Sequence, residues 1–131
     1  MMRHLFSILF LTALVGSAIA DWQQVPTNGE GLTVYADPGS ISKSSGYIVM
    51  NSLYDFKTIR NEDRLEPYLS VIFRIEYNCA NEQRRVLGFS NFTSNMGHGD
   101  VVFSYHDIGS WTLFEQGSLS EALWKFACKK H

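Results

Sequence analysis

LSVIFRIEYNC, residues 69–79, is the stretch whose pattern sets the architecture. Its odd positions are Leu69, Val71, Phe73, Ile75, Tyr77 and Cys79, and its even positions are Ser70, Ile72, Arg74, Glu76 and Asn78. Successive side chains of an extended chain point to opposite faces, so this alternation predicts a strand with one buried and one wetter face. Cys79 belongs to the buried set.

The same grammar extends in both directions. Residues 32–36 (LTVYA) form a short extended run closed by Asp37-Pro38-Gly39-Ser40, and residues 42–46 (SKSSG) form a polar turn. Residues 47–57 (YIVMNSLYDFK) are the next strand, followed by a charged loop at 60–67 (RNEDRLEP). Beyond the 80–83 turn the chain returns as 84–93 (RRVLGFSNFT), turns at Gly97-His98-Gly99-Asp100, and extends again at 101–105. Short runs separated by turn residues, with neither repeats nor linkers, read as antiparallel β structure in one domain.

One helix is predicted, at the end of the chain. Ser118 and Glu121 have capping-box spacing, in which each side chain can satisfy a free N–H of the first turn. Leu119, Ala122, Leu123, Phe126 and Ala127 then fall on one apolar stripe. Trp124 stands one turn before Cys128, where it can cover the sulfur. Lys125, Lys129, Lys130 and His131 bring positive charge to the negative end of the helix dipole. The expected fold is therefore α+β: an antiparallel sheet of about five or six strands with one C-terminal helix packed on it.

Residues 1–20 read as a leader. Met1-Met2-Arg3-His4 is a short basic start, residues 5–15 (LFSILFLTALV) are apolar apart from Ser7 and Thr12, and Ala18 and Ala20 give the A-x-A spacing of a cleavage site. The run is shorter than the ~20 apolar residues that cross a bilayer. No cysteine follows it, so lipid attachment at a cleavage-site cysteine is not expected. Cleavage after Ala20 leaves a domain of residues 21–131, exported to the periplasm or beyond and neither membrane-spanning nor lipid-anchored. Loss of Arg3 leaves 10 Lys and Arg against 13 Asp and Glu. That weak acidity offers no general attraction to nucleic acid.

The chain has two cysteines, Cys79 and Cys128. In an oxidising compartment an even pair is most simply a single disulfide. The spacing offers no C-x-x-C redox motif, and two isolated cysteines do not make a zinc site.

Catalytic constellations are absent: there is no G-x-S-x-G elbow, H-E-x-x-H helix or phosphate-binding glycine loop. Glu62 and Asp63 read as solvated surface. His98, Asp100, His106 and Asp107 are the one His/Asp cluster, but Gly97 and Gly99 make His98 first a turn residue. Asn91-Phe92-Thr93 matches a glycosylation sequon and equally a β-forming run. The chain is read as a non-enzyme with neither cofactor nor metal site. Two small basic groups, Arg84-Arg85 and Lys57 with Arg60 and Arg64, are placed in turns; they are candidate contacts for an acidic protein surface.

A set of residues in fixed order carries a family resemblance. It comprises Trp22, Val34-Tyr35-Ala36-Asp37 with Ser40-Ile41, Leu53-Tyr54-Asp55, Glu76-Tyr77-Asn78-Cys79 and Arg85-Val86-Leu87. Met96-Gly97 with Gly99, Trp111, Gly117-Ser118, Glu121, Trp124 and Cys128 complete it. In these the chain resembles the bacterial surface-adhesin protein E family. Asn78 stands where the family pattern has an acidic residue, and Gly117-Ser118 lacks a preceding proline. The resemblance implies a small antiparallel sheet, a C-terminal helix and a cysteine bridge. It also implies an adhesin-like role at the envelope, with host extracellular-matrix or other envelope proteins as partners and pairing as a homodimer. A second class is a periplasmic carrier of a small ligand, haem or metal, with His98 or His106 near an apolar pocket.

Overall fold

The computed structural model describes residues 20–27 and 29–129. The leader reading, apart from Ala20, and the expected charges of Lys130 and His131 lie outside the described residues. The elements are β1 (Gln23–Val25), β2 (Leu32–Ser44), β3 (Tyr47–Arg60), β4 (Tyr68–Asn78), β5 (Gln83–Phe92), β6 (Val101–Tyr105), β7 (Thr112–Leu113) and α1 (Leu119–Lys129). They form an antiparallel meander, β1 to β6 in sequence order, with β7 paired beside the start of β5. The α+β expectation holds. β1 and β7 go beyond it, because three and two residues are too short to carry a period-two signal.

Two expected turns are resolved differently. Residues 37–40 do not end a strand; β2 runs on through them with a register shift between Asp37 and Ser42. The polar residues there build a bulge. Asp37 Oδ1 accepts the Gly39 N–H at 3.0 Å, and Ser40 Oγ, 2.7 Å from the Asp37 carbonyl, accepts the Asn51 N–H at 2.8 Å. The β2–β3 connection is tighter than expected: Ser44 pairs with Tyr47, and Ser45 and Gly46 between them both have positive φ. That is the requirement of a two-residue turn matched to strand twist.

One sheet face carries α1. Val25, Val34, Ala36, Ile48, Met50, Ile75 and Tyr77 form the core there with Leu123 and Ala127 of the helix. Burying Leu123 contributes about 1.5–3 kcal/mol. Ser118 Oγ accepts the Glu121 N–H, while the Glu121 carboxylate accepts the Gly117 N–H, one residue before the cap expected from spacing. That N–H and, less strongly, Lys125 hold the Glu121 carboxyl below its ordinary range. The cap's contribution is therefore fully present above the ordinary carboxylate range and is lost as pH falls below it, through the lowered value. Cys79 and Cys128 are joined, with Cα atoms 5.6 Å apart. The bridge sits at the sheet's rim, and Cys79 is exposed rather than buried. Trp124 ties the same corner: its Nε1–H donates to the Asn78 carbonyl at 2.9 Å and its ring packs on Phe114.

The opposite face is not the wetter side predicted for residues 69–79. Ser70 and Glu76 are both buried there. A 3-10 turn, Asn95–Gly97, lies over Leu53 and Ile72; it is anchored by Ser70 Oγ, which donates to the Ser94 carbonyl and accepts the Gly97 N–H. Asp55 Oδ1 receives the Met96 N–H at 2.8 Å. At the other end, residues 106–111 run beside β5, with the Gly109 N–H donating to the Val86 carbonyl at 2.8 Å, and bring Trp111 over Arg85.

Tyr77 is buried with its hydroxyl unpartnered, as is Ser52 Oγ. Burial also pushes the Tyr77 hydroxyl far above its ordinary pKa. A buried hydroxyl without a partner keeps its desolvation penalty. Tyr77→Phe is therefore expected to stabilise the protein by about 1 kcal/mol, or roughly 4 °C in thermal midpoint. A lower midpoint by calorimetry would show that the hydroxyl is bonded in solution.

Candidate binding surface

The bulge in β5 decides which side chains share the helix-bearing face. Arg84 pairs with Tyr77 and Val86 with Ile75, but the register then shifts and Phe89 pairs with Phe73. The shift puts Val86, Phe89 and Asn91 on one face, where strict alternation would have grouped Val86 with Gly88, Ser90 and Phe92. β6 continues the arrangement, with Tyr105 opposite Phe89 and Phe103 opposite Asn91. The helix packs chiefly over β2, β3 and β4, so this end of the face is left without a cover.

The result is an aromatic ladder across four strands. Tyr54 and Phe73 have ring centroids 4.8 Å apart, Phe73 and Phe89 5.5 Å, Phe89 and Phe103 5.7 Å, and Phe89 and Tyr105 5.9 Å. Tyr54 meets Phe73 edge-on and the other pairs are tilted, spacings at which rings support one another. Tyr54, Phe73, Phe89 and Phe103 are half-buried, while Tyr105 and Val101 at the sheet edge are 46% and 55% exposed. Ile108 and Leu113, in the segment that follows, are more exposed still. Arg84 stands on this face. Burial raises the Tyr54 hydroxyl's pKa, and the positive charge of Arg84 offsets part of that rise. Arg84 makes no salt bridge with a described residue.

The basic residues singled out in the sequence do not converge. Arg84 and Arg85 lie within β5 rather than in a turn, and they point to opposite faces. Arg85 is engaged internally, with Nη2 2.6 Å from Glu76 Oε1 and its guanidinium 4.6 Å from the centre of the Trp111 ring. Lys57 and Arg60 end β3, and Arg64 lies in the loop beyond. Arg84 sits in the row of Tyr77 and Ile48. Lys57 is nine residues along β3 from Ile48, about 30 Å at ~3.3 Å per residue. Arg60 pairs with Glu62 at 3.1 Å and lies over Phe56.

Asn91 of the sequon is 2% exposed, so its side chain is closed to a glycan in the folded chain. His98 takes part in a turn, its N–H donating to the Asn95 carbonyl and its carbonyl accepting the Ser94 N–H. Among the described residues no group of three or more His, Cys, Asp or Glu is placed to hold a metal ion, and no helix is long and apolar enough to cross a membrane.

Comparison with known proteins gives a consistent relationship. The family model for Surface-adhesin protein E matches residues 22–129. The structure of crystal form II of Haemophilus influenzae protein E is similar with a TM-score of 0.60 at 14% identity, covering 84% of this chain and 97% of that one. A second structure of Haemophilus influenzae protein E has a TM-score of 0.60 at 13% identity, covering 82% and 92%. Its selenomethionine form gives 0.60 at 14%, covering 82% and 94%. At that identity the likeness shows a shared fold. No curated protein matches the chain.

Proposed function

The chain belongs to the surface-adhesin protein E family, and from that premise we propose that it is an exported, non-enzymatic, adhesin-like protein of the bacterial envelope that recognises a protein partner. The observation that carries this reading is the uncovered aromatic ladder with Arg84 at its side. Protein interfaces draw most of their binding energy from a few aromatic and Arg anchors held rigidly by their neighbours. Phe89 is such a holder, in contact with Phe73, Phe103 and Tyr105. The partners in this reading are host extracellular-matrix proteins or other envelope proteins. Lys57, Arg60 and Arg64 are exposed elsewhere on the surface, with Arg60 paired to Glu62, and in this reading they are secondary contacts for an acidic partner. The mature product, residues 21–131, acts in the periplasm or outside the cell, and a homodimer is one assembly in which it works.

The test is binding of the secreted chain to immobilised matrix proteins. Tyr105→Ala and Arg84→Ala are each expected to weaken binding at least tenfold, as truncation of an interface anchor does. Arg64→Ala is expected to lower the association rate alone. Absence of binding at micromolar concentration, or binding indifferent to Tyr105 and Arg84, overturns the reading.

A further inference from the structure

The face opposite the aromatic ladder is covered at two places, by the 3-10 turn over Leu53 and Ile72 and by the segment that carries Trp111 over Arg85. Between them a recess of about 200 Å³ stays open. It lies over β4 and β5, where Ile72, Leu87 and Phe92 make it apolar and Gly88 leaves room at its base. Arg74 and His106 line it as well. The absence of a side chain at Gly88 is what lets His106 lie down on the sheet, since a Cβ there would stand 2.7 Å from His106 Nδ1 and 3.0 Å from the Tyr105 carbonyl oxygen.

The charge balance of the recess is one-sided. No described Asp or Glu lines it. Arg74 is exposed and makes no salt bridge with a described residue. The neighbouring carboxylate on its strand and face, Glu76, is taken by Arg85 at 2.6 Å. Asp37, two strands away in the same row, has its Oδ1 on the Gly39 N–H. A guanidinium over an apolar floor with no counter-charge suits an anion that brings its own apolar body. The planar fork of Arg matches a carboxylate in particular. The volume equals roughly six or seven waters' share of liquid, enough for one ring and a carboxylate but not for a large cofactor.

We propose that this recess is a binding site for a small carboxylate bearing a single ring or short apolar group, with Arg74 holding the carboxylate, His106 donating beside it and Ile72, Leu87 and Phe92 receiving the apolar part. The recess opens on the other side of the sheet from the aromatic ladder, sharing only Phe89 of β5 with it, and does not depend on protein-partner binding.

The experiment is an NMR titration of the isotope-labelled, disulfide-intact protein with benzoate, with benzamide as the uncharged counterpart. Saturable shifts centred on the amides of Gly88 and Ile72, absent with benzamide, are the expected result. Arg74→Gln, its fold verified by the same spectra, is expected to weaken benzoate binding about tenfold, the scale of one charge-assisted hydrogen bond. His106→Gln, which keeps a donor of similar length, is expected to weaken it less. Equal binding of benzamide, no saturable shift with benzoate, or binding unchanged in Arg74→Gln overturns the proposal.

Discussion

Replacing both cysteines, Cys79→Ser with Cys128→Ser, is expected to destabilise the protein by about 4 kcal/mol, the figure that chain entropy assigns to a loop of this length. The two residues are 49 apart in sequence, so the bridge restrains most of the unfolded chain's second half. A domain of this size has roughly 5–15 kcal/mol to lose, and the variant should be only marginally folded. The helix is the element most affected. Without the bridge it keeps Leu123 and Ala127 in the core and the Trp124 hydrogen bond to the Asn78 carbonyl. Urea unfolding of the wild type with and without reductant, beside the double variant, measures the effect. A shift below 1 kcal/mol would mean that helix packing alone restrains the chain.

Arg85→Ala is the second large effect, expected at about 3 kcal/mol. The reason lies with its partner. Glu76 is 4% exposed, and both Nε and Nη2 of Arg85 approach its Oε1 at 2.6 Å. Truncating the arginine leaves a buried carboxylate without its counter-charge, and the loss of one partner from such a pair is strongly destabilising. It also removes the guanidinium from Trp111, whose ring also meets Tyr47 at 4.8 Å. Glu76→Leu combined with Arg85→Met is expected to recover most of the loss, because apolar residues of similar volume often replace a buried pair without penalty. Arg85→Lys should fall between, keeping the charge and losing the planar stack. Denaturant midpoints of the four proteins check the order. A double variant no better than Arg85→Ala would show that the stack, not the ion pair, stabilises this corner.

Much of this molecule was legible in local pattern. The alternation from Leu69 to Tyr77 placed the central strand, and the stripe from Leu119 to Ala127 placed the helix with its cap within one residue. The Asp37–Ser40 bulge reads as a strand end in the sequence, because Asp-Pro-Gly-Ser is turn chemistry whether it ends a strand or kinks one. The aromatic ladder had one available signal, Gly88 inside a strand pattern, which marks bulges. Treating that glycine as a phase change would have aligned Phe89 with Phe73. The burial of Ser70 and Glu76 had no local signal at all, since what covers them comes from residues 94–97 and 111.

Strand and helix identity, the count of cysteines and the polarity of the turns follow from near-neighbour preferences, which a linear chain already contains. Which arginine turns inward, which half of a face goes uncovered and where an open recess remains depend on contacts between different strands and turns. Register sets those contacts, and one extra residue at Leu87 moves every later side chain of the strand to the other face. The long-range placement of Trp111, Phe103 and His106 therefore exists only once the sheet is assembled.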